Sequence, residues 1–119
     1  MIHHYSKVLE MKKKFFIIGI VFSLFSTSLM ATAYKGQRVY AKNCVSCHGK
    51  GEYIQSKTAA QWDAVLGKRG EKLAKIHLAS PKAVDAAAFF TSKKYKRNIR
   101  HLRDFLKEYA KDGKVPTCN

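Results

Sequence analysis

The sequence predicts a small all-α domain, and three local patterns carry that expectation. Thr58-Ala59-Ala60-Gln61 is a capping-box pattern, the start signal of a helix through Trp62, Val65 and Leu66. Ser80-Pro81 has the residue types of an N-cap and a first helical position. Ile99, Leu102, Phe105, Leu106, Tyr109 and Ala110 share one apolar stripe at about 100° per residue. With 119 residues the chain has room for one such domain, not for a second with its own cofactor fold.

In chain order, the first segment is a leader and not part of the fold. Lys12, Lys13 and Lys14 follow Met11, the natural start, and Met1–Glu10 adds nothing to a signal. An apolar run from Phe15 to Leu29 comes next, and Ala31-Thr32-Ala33 supplies small residues where a signal peptidase reads. Fifteen helical residues reach about 22 Å, short of a ~30 Å hydrocarbon core, which favours a cleaved signal over an uncleaved anchor. Cleavage after Ala33 implies a periplasmic domain over 34–119. It would carry 19 basic and 7 acidic side chains, and no methionine, because Met1, Met11 and Met30 all lie in the leader. A domain of that size buries a modest core, so a covalent or metallic staple is expected within it. Trp62 and five tyrosines after the leader argue against disorder, and three cysteines cannot close a disulfide framework.

The helix that starts at Thr58 is broken by Gly67-Lys68-Arg69-Gly70 and resumes over Glu71–Leu78, with Leu73, Ile76 and His77 on its apolar side. Ser80-Pro81 opens a helix over Lys82–Phe90. The last helix is expected over Lys96–Lys111, stopped by Asp112-Gly113, with Pro116 forbidding continuation.

Chemistry concentrates in Asn43-Cys44-Val45-Ser46-Cys47-His48-Gly49, which contains Cys-x-x-Cys-His. Cysteines three apart share one side of a helical turn. Both sulfurs can then form thioethers with the two vinyl groups on one edge of a haem, and His48 is directed at the iron. Gly49 and Gly51 supply a turn free of bulk beside the ring. A thioredoxin-like pair would need a β-α-β setting, whereas these flanks read as helical. A zinc site would need further ligands, and Cys118, His77 and His101 offer them only at irregular spacing.

Gly36, Val39 and Tyr40 ahead of the Cys44–Gly49 motif resemble the opening helix of a small class I cytochrome c. Leu102, Leu106 and Tyr109 resemble its closing helix. The resemblance covers both ends of the domain and little of its middle. It implies a helical domain wrapped around one covalent haem c, held by Cys44, Cys47 and His48. It also implies that the two terminal helices cross, with Gly36 and Tyr40 meeting Leu106 or Tyr109. Two departures stand out. The Gly-Pro that follows the haem histidine in that family is replaced by Gly51-Glu52, so no carbonyl acceptor for His48 is evident. The family's sixth ligand is a methionine, and residues 34–119 contain none.

Four occupants of the sixth position remain: His77, His101, Cys118, or no protein ligand. His77 is favoured, because it lies before the closing helix, where the resemblance places the distal ligand, on a short helix between breakers. His101 falls about 40° outside the last helix's stripe and reads as a boundary residue among Arg97, Arg100 and Arg103. Cys118 could bind iron, carry a sulfur adduct or form an intermolecular disulfide.

The densest positive patch is Lys93-Lys94-Tyr95-Lys96-Arg97 with Arg100 and Arg103. An exported haem protein rarely meets nucleic acid, so the patch suits an acidic redox partner, with an anionic membrane surface second. The reading is an electron carrier and not an enzyme, of lower potential than a Met/His site. The alternative is a haem protein with an open or displaceable sixth site that binds a small ligand or oxidises a sulfur compound. A haem subunit of a larger complex is a third.

Overall fold

The computed structural model describes residues 31–115. The leader through Met30, the Pro116 stop and Cys118 lie outside the described residues. Helix α1 covers 31–43. The one-turn helices α2 (Val45–His48) and α3 (Gly51–Ile54) follow, then α4 (Ala59–Leu66) and α5 (Glu71–Ala79). A 3₁₀ segment, Pro81–Ala86, leads into α6 (Ala87–Phe90), and α7 (Lys93–Glu108) closes the fold. The described residues contain no strand. The domain is all-α, as the helix signals predict.

Local chemistry sets most boundaries. The Thr58 hydroxyl accepts from Gln61 N at 3.2 Å, and Gln61 Oε1 accepts from Thr58 N at 2.9 Å, so the capping box is complete. The predicted break lies between Gly67 and Gly70, whose φ values of 75° and 74° belong to the left-handed region that favours glycine. Between them the Glu71 carboxylate accepts from the N–H groups of Lys68 and Arg69, fixing the loop that opens α5.

Two expected helices differ in form. The one expected over Lys82–Phe90 is 3₁₀ in its first half, with Ala83 off helical geometry at φ −106°, ψ 18°. Val84, the one branched aliphatic side chain of that half, is 70% exposed, so little apolar contact rewards a regular α turn. α7 starts three residues earlier than expected, because the Ser92 hydroxyl caps Tyr95 N at 3.1 Å. It also ends earlier. The following turn is drawn onto α4, where Lys111 N donates to Lys57 O (2.9 Å) and Ala59 N donates to Asp112 Oδ1 (2.8 Å). Ile76, expected on the buried side of α5, is 56% exposed, and α5 buries no residue fully.

Trp62 and Leu66 of α4 pack with Leu102, Phe105 and Leu106 of α7 in one core, together with Tyr40 and Ile54. The Trp62 indole N–H donates to Ile54 O at 2.9 Å, so this large side chain is buried without an orphan donor. The terminal helices cross as the resemblance implies, with His101 and Phe105 at the point of closest approach. A Cβ at Gly36 would stand 1.9 Å from His101 O and 2.6 Å from Phe105 Cβ. Tyr40 meets Phe105 with ring centroids 5.7 Å apart. Gly36 thus meets His101 and Phe105, and Tyr40 meets Phe105, within the same core that holds Leu106 and Tyr109.

Gly36→Ala should cost at least about 2 kcal/mol, because backbone, not a flexible side chain, blocks the new methyl group. Urea unfolding followed by circular dichroism measures it, and a loss under ~0.5 kcal/mol would mean the crossing is looser than described.

Candidate functional site

The Cys-x-x-Cys-His segment forms a single turn locked at both ends. His48 N and Cys47 N donate to Cys44 O at 3.0 and 3.3 Å, and Gly49, at φ 73°, ends the turn. The Tyr40 hydroxyl donates to Gly49 O at 2.6 Å, so α1 holds the exit of the turn as well as its entry. Cys44 is half-buried and Cys47 exposed, and no disulfide joins them. Burial, then the neighbouring Cys47, pushes the Cys44 thiol up to about 12. A redox-active thiol pair would need the opposite shift, toward thiolate.

α5 brings His77 opposite His48. The two imidazole centroids lie 5.9 Å apart with planes at 81°. His77 Nδ1 is 2.8 Å from Leu73 O. A carbonyl can only accept, so Nδ1 carries a proton, which makes Nε2 the ring nitrogen a metal could use. Burial, then His77, then Lys57 hold His48 below the usual imidazole range, which leaves it neutral and able to bind a metal at pH 7.

Each imidazole leans on an aromatic ring. His48 stacks on Tyr53 (4.2 Å, 17°), which meets Trp62 edge-on at 5.7 Å. His77 stacks on Phe90 (4.3 Å, 23°), which packs against Tyr95. The Lys57 ammonium lies over the Tyr53 and Trp62 rings at 5.3 and 5.1 Å. Tyr53, Phe90 and Lys57 carried no motif. The one local hint was Tyr53, an aromatic five residues after His48, beside Ile54 in an otherwise polar stretch.

The donor set fits a haem: Cys44 and Cys47 could carry thioethers to it, and His48, with His77 at 5.9 Å between ring centroids, could offer imidazole nitrogen to its iron, which would supply one-electron chemistry. Among the described residues no three His, Cys, Asp or Glu side chains gather around one point as a metal-ion site. No helix of the described residues is long and apolar enough to cross a membrane.

His101 sits elsewhere, at the α1–α7 crossing, and is 8% exposed where a boundary position was expected. The stripe of α7 alone does not reveal this, because it is α1 that covers His101, through Gly36. Its Nδ1 is buried without a hydrogen-bond partner. Arg103, counted in the basic patch, instead turns inward. Its guanidinium donates to Gly67 O and Lys68 O and pairs with Asp63.

A small all-helical domain with a Cys-x-x-Cys-His turn facing a second imidazole is of the class of haem-binding electron-transfer domains. The family model described as cytochrome c matches residues 33–114, and the chain belongs to that family, whose haem carries electrons. No curated protein and no solved structure matches.

Burial, reinforced by Arg100 and Lys35 and opposed by Asp104, lowers the His101 pKa. The unfolded chain therefore binds the proton first, so stability is full above about pH 6.5 and falls as pH drops below it. His101→Leu should remove this acid-side loss and leave the haem spectrum unchanged. Thermal melts of both proteins at pH 7 and pH 5 test it, and a pH-independent difference would refute the buried-imidazole account.

Proposed function

We propose that this chain is an exported, periplasmic mono-haem c-type cytochrome and carries single electrons. In this reading Cys44 and Cys47 hold one haem c through thioethers, with His48 as proximal and His77 as distal ligand. The observation that carries it is the approach of the two imidazoles to 5.9 Å between ring centroids, one from the Cys-x-x-Cys-His turn and one from a helix 23 or more residues further on. The polar-apolar-small leader pattern supports export.

The haem supplies the one-electron chemistry when bound. The chain supplies rigidity around it. Leu73 O fixes the tautomer and tilt of His77, and Phe90 fixes its ring plane. No carbonyl takes the ring proton of His48 among the described residues. Tyr53 holds that ring by stacking, in the place of the missing Gly-Pro. Ligands held this firmly keep their geometry when an electron arrives or leaves.

Mass spectrometry of the purified protein should show one added haem, absent from Cys44→Ser/Cys47→Ser. The visible spectrum of the reduced protein should not change under carbon monoxide, while reduced His77→Ala should shift at once. A wild type that binds carbon monoxide immediately would replace this reading by the open-site one, and a His77→Ala spectrum identical to wild type would remove His77 from the iron.

The exposed basic side chains Lys93, Lys94, Lys96, Arg97 and Arg100 suit an acidic redox partner better than Arg103, which is already engaged. Oxidation by ferricyanide should slow steeply with added salt, and oxidation by a cationic cobalt complex should not. Lys96→Glu/Arg97→Glu should slow the ferricyanide reaction several-fold at low salt and match wild type at high salt. Stopped-flow mixing measures both, and equal salt dependence for the two oxidants would dismiss the patch.

A further inference from the structure

Among the described residues two buried side-chain nitrogens lack a hydrogen-bond partner, Nδ1 of His101 and Nε of Arg103. Arg103 keeps its charge at any ordinary pH and is engaged through another of its nitrogens. Of the two, only His101 gains or loses a proton near neutrality. It sits at the α1–α7 crossing, 8% exposed, with α1 over it. A neutral ring tolerates that place, since all it leaves idle there is a lone pair. A protonated ring carries N–H on both nitrogens and would bury a charge together with a donor that has no acceptor.

The charged groups acting on the ring add to this cost. Lys35 from α1 and Arg100, the preceding residue of α7, oppose a proton there, and only Asp104 favours one. On the proposed export, cleavage after Ala33 would add the amino group of Tyr34 to the α1 side. The crossing has no slack to absorb the change. A Cβ at Gly36 would stand 1.9 Å from His101 O, so backbone rests on backbone, and hydrating the ring means moving α1. Any movement of α1 reaches the Cys-x-x-Cys-His turn through Tyr40, one helical turn beyond Gly36. Cys44 N donates to Tyr40 O at 2.8 Å at the entry of the turn, and the Tyr40 hydroxyl donates to Gly49 O at 2.6 Å at its exit.

We infer that His101 is an acid-sensitive latch on the crossing: on taking up a proton its ring leaves the buried place, α1 lifts from α7 at Gly36, and Tyr40 slackens its hold on both ends of the Cys-x-x-Cys-His turn. The rest of the domain keeps its own ties. Trp62 and Leu66 of α4 pack on α7, and the Tyr95 hydroxyl holds Gly70 O. The closed form resists the proton, so release is absent well above about pH 6.5, the ordinary imidazole value, and grows below it. The latch does not depend on the haem assignment. On the proposed ligation it makes the setting of His48 depend on pH.

Amide hydrogen exchange of the purified haem-loaded protein, corrected for the intrinsic effect of pH, tests the inference. Between pH 7 and pH 5, protection at Cys44 and Gly49 should fall about threefold to thirtyfold, the ceiling being set by an open-form imidazole that titrates near 6.5. Gly67, bonded to Asp63 O at the end of α4, should change by less than about twofold. His101→Gln should remove the fall. Tyr40→Phe should lower the protection of Gly49 at pH 7 already and leave it insensitive to pH. In the wild type the loss should level off where the His101 ring resonance titrates by NMR, a check that needs no variant. No fall at the turn, an equal fall at Gly67, a fall that survives in His101→Gln, or full pH dependence of Gly49 in Tyr40→Phe would overturn the proposal.

Discussion

The close approach of α1 to α7 at Gly36 is the constraint from which the rest of the domain follows. Only a residue without Cβ lets the α1 backbone rest on His101 O, and that contact sets the angle at which the two helices cross. Tyr40, one turn further along α1, then reaches both Phe105 in the core and Gly49 O at the end of the Cys-x-x-Cys-His turn. One side chain thus links the crossing to the turn that presents His48. The arrangement explains how a domain with so little core can hold a short irregular turn in a defined place.

A second network positions the opposing imidazole. The Tyr95 hydroxyl donates to Gly70 O at 2.5 Å, tying the start of α7 to the residue that precedes α5. A Cβ at Gly70 would stand 2.3 Å from Ile99, so this glycine serves both its left-handed backbone and the approach of α7. Phe90 packs between His77 and Tyr95. Both imidazoles are therefore referenced to the same long helix, His48 through α1 and His77 through the Gly70 loop and α6. Helix α7 buries Tyr95, Ile99, Leu102, Phe105 and Leu106 and is the common frame.

What the sequence made legible was what short-range chemistry determines. The capping box of α4 is complete within four residues, and the break at Gly67–Gly70 needs only two left-handed positions. The Cys-x-x-Cys-His turn is likewise local. Failures came where a distant segment decides. Ser80-Pro81 signals the start of a helix but not whether α or 3₁₀ follows, which depends on whether Val84 finds a partner. His101 was judged on the stripe of α7 alone, and α1 buries it. Arg103 was counted as surface charge because its acceptors, Gly67 O and Lys68 O, lie 36 and 35 positions away. Tyr53 and Phe90 belong to the site through stacking geometry that no spacing rule encodes.

On the proposed ligation, two features of the site press the potential in opposite directions. The bond from His77 to Leu73 O makes that imidazole a stronger donor, which favours the oxidised metal. Lys57, over the Tyr53 and Trp62 rings, places positive charge near His48 and favours the reduced one. Magnitudes decide between them. A solvent-facing ammonium several ångströms away is worth about 1 kcal/mol at most after screening, or roughly 40 mV for one electron. The choice of axial ligand moves haem potentials across a span of roughly 0.8 V. Under that ligation Lys57 would trim a value that the second imidazole would set, and an imidazole in place of a methionine would put the potential in the lower part of that span.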